Sequence, residues 1–178
     1  MSTSDTQMTA VESSSHQALT FVLGNETYGV DILRVQEIRG WSAVTRIPRA
    51  PPHVLGVLNL RGSIVPIVDL RKRFILDNAD YTAVTVIIVL SVRATGGRRD
   101  VGVVVDGVSD VVDVRLEAVK PPPDLGAREA TDHIRGLVPV AERMVVLLDI
   151  DRLIGDETAN AAPAARPEDI IEDSNRAA

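Results

Sequence analysis

The chain alternates between short apolar runs of strand length and breaks made of glycine, proline or charge. Residues 19–23 and 28–31 read as strands on either side of Gly24-Asn25-Glu26, while 32–38 fits both a helical turn and an irregular strand. Residues 41–47 predict a weaker strand, closed by Pro48 and the Pro51-Pro52 pair. Residues 57–60 and 64–70 predict a hairpin turning at Arg61-Gly62-Ser63, and Pro66 inside the second arm places that arm at an edge or a bulge. The same order returns downstream. Residues 84–92 and 100–105 flank the glycine-rich loop 94–99, strands at 111–114 and 116–119 precede Pro121-Pro122-Pro123, and 137–140 pairs with 144–150 around Ala141-Glu142-Arg143. About five short strands in each half predict an all-β fold of two small, partly open barrels packed on each other.

The two halves also match in sequence. Moved 80 positions along, residues 53–74 lie on 133–154 without a gap. His53, Gly56 and Asp69 meet His133, Gly136 and Asp149, and apolar meets apolar from Val54/Ile134 to Phe74/Ile154. At an offset of 73, residues 28–38 lie on 101–111. Any two β-hairpins share such patterning, but two matched blocks in the same order favour a duplicated unit. A repeat this long predicts two similar subdomains rather than a solenoid of short repeats.

Composition narrows the function classes. Hydrophobic residues make up 45% of the chain and aromatics only 3%, so the core must be Val, Ile and Leu, whose branching favours strands. A net charge of −6 and a pI near 5.0 argue against nucleic acid, and so few rings leave no stacking platform for single strands. Without cysteine there is no disulfide, thiolate nucleophile or cysteine zinc site, which fits a reducing cytoplasm. No segment approaches the roughly 18 apolar residues of a membrane span. Residues 1–17 lack the basic start and apolar stretch of a signal peptide. They and the Ala-, Pro- and acid-rich 156–178 read as flexible tails around a folded 18–155.

Catalytic constellations are thin. His53 and His133 stand at equivalent repeat positions, which suits a structural role better than shared metal ligation. Asp69 and Asp149 each end a strand before a short basic turn and read as backbone caps. Gly96-Gly97-Arg98-Arg99 lacks the Lys-Ser/Thr of a phosphate loop. The expectation is a protein with no catalytic residues, no metal and no cofactor; a small β-barrel enzyme or ligand-binding protein is the rival.

Positions where the copies diverge are more informative. Asn59, Arg61 and Gly62 face Pro139, Ala141 and Glu142, so the first hairpin carries a turn of its own, with Asn59 and Gly62 as turn formers. Arg61 is either an ordinary surface arginine or a guanidinium fork projected at a junction. Glu37 faces Asp110 and can orient Arg61. Val35 and Val108 match across the copies and either flank a groove between the barrels or fill the two cores.

Three long motifs then resemble one family. Residues 28–40 (YGVDILRVQEIRG), 56–71 (GVLNLRGSIVPIVDLR) and 101–111 (VGVVVDGVSDV) are similar to the CheW family of chemotaxis coupling proteins, over nearly all of residues 19–154. The resemblance implies two five-stranded SH3-like barrels around a shared core, the first spanning about 18–80 and the second about 81–155, with the final segment crossing back to the first. It implies a non-catalytic cytoplasmic adaptor at membrane-associated receptor arrays, linking the tips of methyl-accepting chemoreceptors to the histidine kinase CheA. A related receptor–kinase pathway outside motility shares the same motifs. Carried onto this chain, the receptor groove uses Val35, Glu37, Gly56, Arg61, Val108 and Val111. Kinase contacts fall on Lys120 and Leu125, beside the proline run, and on Val44 and Ile47.

Overall fold

The computed structural model describes residues 15–76, 80–126 and 131–155. Their strands are β1 (Ser15–Leu23), β2 (Glu26–Asp31), β3 (Val35–Gly40), β4 (Val54–Leu60), β5 (Ser63–Asp69), β6 (Val86–Ala94), β7 (Gly97–Val105), β8 (Gly107–Arg115), β9 (Ile134–Val140) and β10 (Arg143–Leu148). Short helices Leu70–Arg73 and Ile150–Ile154 follow β5 and β10, and single 3₁₀ turns occupy Ile32–Arg34 and Leu116–Ala118. Residues 32–38 are therefore both things that their pattern allows, a helical turn and then a strand. Residues 41–47 make only an isolated bridge, Thr45 to Val57, and 116–119 hold a 3₁₀ turn rather than a strand. In both places proline runs follow and withhold the donors a ladder needs. β1 begins at Ser15, inside the stretch read as a tail; the other residues of both tails lie outside the described residues.

The strands form two five-stranded sheets, ordered β8-β1-β2-β10-β9 and β3-β6-β7-β5-β4. Exchanging every strand for its repeat partner (β1 for β6, β2 for β7, β3 for β8, β4 for β9, β5 for β10) converts one order into the other. The registers agree as well. In the two parallel pairs, Leu147 faces Gly29 as Ile67 faces Gly102, the same 80 and 73 offsets found in the sequence. Each sheet thus takes the first hairpin of one copy and the third strand and second hairpin of the other. A boundary near residue 80 does not separate the sheets. Parallel strands cannot be joined by a tight turn and need a long crossover, which the partner copy's strands supply. Pro66 lies in the interior strand β5 rather than at an edge, one residue before the ladder to β7 begins at Ile67.

Three apolar clusters follow from this exchange. Ala18, Val114, Val138, Val145 and Leu147 fill the inside of one sheet, and Val65, Ile67, Ile87, Val89 and Val104 fill the other. Between the sheets lies the larger shared core, where Phe21, Leu23, Leu70, Leu90 and Ile154 are buried. Phe21, Tyr28, Phe74 and His133 stack in sequence along it, with ring centroids 6.1, 5.5 and 5.3 Å apart. His133 is thus a packing residue at its repeat position, and burial followed by the Arg73 charge lowers its pKa.

Candidate functional site

β3 and β4 are the two edge strands of one sheet, and side chains meet across their seam. Thr45 closes it from one end, exchanging backbone hydrogen bonds with Val57 at 3.0 and 2.8 Å. At the other end, Arg61 Nη2 donates to Glu37 Oε2 at 3.3 Å. Arg61 gets there through its turn. Arg61 and Gly62 both take positive φ, 53° and 86°, the two-residue turn whose twist suits a hairpin, and Asn59 Oδ1 accepts the Gly62 N–H at 2.9 Å. The Arg61 side chain is 86% exposed and that of Glu37 31%, so the pair contributes only ~0–1 kcal/mol to stability and leaves most of the guanidinium open. In the other copy Ala141 takes the same positive φ, 52°, but carries nothing to reach Asp110.

The apolar residues of the predicted site divide between β3, which carries Glu37, and β8, the edge strand of the other sheet. Residues opposed across a ladder share a face. Val35 opposes Leu90, and Ile38 opposes Ile88, so both point to the shared-core side of β3. A bulge at Gln36 turns Glu37 to the other face, opposite Val89. Val108 opposes Phe21, and Val111 opposes Leu19, across an equivalent bulge in β8 that Thr20 Oγ1 holds through Asp110 N (3.0 Å) and O (2.8 Å). The shared core therefore reaches the surface at two symmetry-related edges. Val35 and Val108 are half-buried against it, while Ile38 is 44% and Val111 49% exposed. Sequence reasoning missed Ile38; its signal was the offset of 73, which places it on Val111.

Gly56 belongs to the frame beneath the site. It is buried at φ 148°, and a Cβ there would lie 2.0 Å from the Thr45 carbonyl oxygen. The remaining candidates separate onto the two sheets. Val44 and Ile47 line a recess of about 290 Å³ with Trp41, Leu55 and Tyr81. Lys120 is exposed and exchanges 2.8 Å backbone hydrogen bonds with Leu137, the repeat equivalent of Thr45 with Val57, and Leu125 is 69% exposed. Val44 and Ile47 flank Thr45, which bridges to β4, whereas Lys120 bridges to β9 of the other sheet and Leu125 lies in the loop beyond it.

One polar cluster was not anticipated. Arg71, read as part of a basic turn, is buried and forks onto Asp69 through Nε (3.0 Å) and Nη2 (2.9 Å). Its Nη1 donates to the Asp80 carbonyl (2.6 Å) and to Asp106 Oδ1 (3.2 Å), and it lies 4.8 Å from the centroid of Tyr81, which stacks on Trp41. Burial works against its charge, but the Asp69 and Asp106 carboxylates more than restore it, so the guanidinium stays protonated. Asp69 also caps the helix through Arg71 N–H. Each carboxylate oxygen of Asp69 and Asp106 accepts from Arg71, from the Tyr81 hydroxyl or from the Gly24 N–H, an arrangement that holds structure. Among the described residues no cluster of His, Asp and Glu has the geometry to hold a metal, and no helix is long and apolar enough to cross a membrane.

Comparison with known proteins agrees with this architecture. The model of the CheW-like domain matches residues 17–158. The chain is 48% identical over 148 residues to a chemotaxis protein CheW of Klebsiella aerogenes, covering 83% of this chain and 87% of that one. It is 30% identical to the chemotaxis protein CheW of Bacillus subtilis, over 87% and 97% of the two chains. Protein FrzA of Myxococcus xanthus is 28% identical over 82% and 88%. The crystal structure of the scaffolding protein TtCheW from Thermoanaerobacter tengcongensis superposes with a TM-score of 0.69 at 29% identity, covering 78% of this chain and 86% of that one. With its duplicated, strand-exchanged barrels and a family match across the described fold, the chain belongs to the CheW-like domain family.

Proposed function

We propose that this protein is a non-catalytic adaptor that couples methyl-accepting chemoreceptors to the histidine kinase CheA in chemotaxis. The observation that carries the reading is the Glu37–Arg61 pair standing beside exposed shared-core residues, in a chain 48% identical to a protein named for chemotaxis. A receptor tip is a helical hairpin, and it would lay an apolar helix face along Val35, Val108 and Val111, with Ile38 extending the same surface. This is helix-in-groove recognition. Arg61, held by Glu37 but largely open, orients the helix from the rim.

The kinase would be met elsewhere. Lys120, bridged to β9, with Leu125 in the loop after it, and Val44 and Ile47, in the recess beside β4, leave the receptor surface free, so both partners fit at once. Signalling is then a difference in contacts between two arrangements of receptor and kinase, passed on by the adaptor. Placement at membrane-associated receptor arrays follows from the receptor contact. The similarity to Protein FrzA favours a second reading, a coupling protein of a related receptor–kinase pathway with the same surfaces.

Mixing the purified protein with the CheA regulatory domain and a soluble receptor-tip hairpin tests the reading. Co-elution of all three on size exclusion is expected. Binding to neither partner would overturn it, and a metal, cofactor or turnover found with the protein would favour the enzyme or ligand-binding rival.

A further inference from the structure

A polar cleft that includes neither Glu37 nor Arg61 holds cationic charge that the fold does not use. It encloses about 630 Å³ between the 3₁₀ turn after β2, the β6–β7 hairpin, β9 and the helix Ile150–Ile154, and Arg34, Arg93, Arg98 and Arg135 line it. Its three acids are held by hydrogen bonds, and four guanidiniums against three carboxylates leave the lining one charge positive. Asp31 accepts the Leu33 N–H at 2.9 Å, and Asp149 accepts the Arg152 N–H at 3.1 Å. Asp151 accepts Arg34 Nη2 at 2.5 Å and the Arg93 N–H at 2.7 Å. Among the described residues, no ion pair reaches the guanidinium of Arg93, Arg98 or Arg135. Arg93 and Arg98 are moreover direct cross-strand partners on β6 and β7, a placement in which like charges repel. An anion in the cleft would relieve that repulsion.

We propose that the cleft takes an acidic segment of the same chain, Glu168-Asp169-Ile170-Ile171-Glu172-Asp173. Residues 156–178 hold six acids against two arginines, which accounts for four of the chain's six net negative charges. Four of those acids flank the two isoleucines. The cleft offers the complement: three unpaired arginines and, at its rim, Leu33, which is 78% exposed. Reach is no obstacle. Ile150 and Asp151 themselves line the cleft, and twelve residues lie between Gly155 and Glu168. A flexible chain of that length has a root-mean-square span of about 20 Å. Tethering at that distance gives an effective concentration on the order of millimolar, enough for a contact that is weak between separate molecules.

The chain has no cysteine, so a nitroxide can be placed cleanly on full-length protein through Ser174→Cys. At low ionic strength, the amide signals of residues 93–98 and 135 should be lost while those of the β1–β2 turn persist. They should return in about 1 M salt, where the Debye length is about 3 Å. They should also return when Arg98→Gln and Arg135→Gln, both exposed positions, are added to the labelled chain. Persistence of the cleft signals at low salt, or a loss that the double substitution does not reverse, would overturn the proposal and leave the cleft to an anion from another molecule.

Discussion

Arg71 and Asp151 occupy the same position in the two copies of the repeat, 80 residues apart, and carry opposite charge. Each reaches into the other copy at nearly the matching place. Arg71 meets Asp106 just after β7, and Asp151 meets Arg34 just after β2. An ion pair of inverted sign therefore fastens each end of the exchanged architecture.

The two ends differ in burial, and so in what their loss costs. Arg71→Ala would leave Asp69, fully buried, without its counter-charge. Breaking a buried pair in this way costs about 3–5 kcal/mol. Arg34→Ala opens a pair whose side chains are 21% and 26% exposed, and should cost about 1 kcal/mol. Urea denaturation of both variants checks the ranking, and equal losses would contradict the structural role of Arg71.

Glycines at matching positions should not respond alike. A Cβ at Gly102 would meet Ile67 Cδ1 at 2.5 Å and Ile87 Cγ2 at 2.9 Å, whereas at Gly29 the nearest atom is Leu147 Cδ2 at 3.0 Å. At Gly56 the obstacle is the Thr45 carbonyl, which cannot rotate aside. Alanine should therefore cost least at Gly29, about 1–3 kcal/mol at Gly102, and most at Gly56. Thermal melts of the three variants would show it; a benign Gly56→Ala would contradict the backbone contact.

His133 gives the fold a pH dependence. Burial first, then the Arg73 charge, lowers its pKa from the ordinary 6.5, with Asp132 pulling partly back. As pH falls, the unfolded chain takes up this proton before the folded one. The contribution is thus complete above about 6.5 and declines below it, towards the folded pKa. His133→Gln should flatten the fall in stability between about pH 7 and pH 5. Parallel slopes for the two proteins would remove His133 as the cause.

Much of the local structure is legible in the sequence because it is local. Alternation and turn residues mark the hairpins, and the mismatch of Arg61 with Ala141 singles out the arginine that pairs with Glu37. The joining of hairpins is not legible. Apolar patterning says which face of β5 is buried, not that β7 of the other copy lies beside it. Burial of a charge is equally hidden: Arg71 reads like Lys72 and Arg73, and only the fold brings Asp80, Tyr81 and Asp106 around it. Ile38 was missed for a related reason, since the bulge at Gln36 breaks the alternation that would have placed it beside Val35.

The adaptor account turns on Arg61 serving the receptor while the kinase binds elsewhere. Calorimetric titration of native protein and Arg61→Ala with the receptor-tip hairpin, and separately with the CheA regulatory domain, tests it most directly. The account predicts a loss on the order of 2 kcal/mol, about thirtyfold, for the receptor alone, with kinase affinity unchanged and the variant still folded. A receptor loss within about 0.5 kcal/mol, or a loss confined to the kinase, would contradict it.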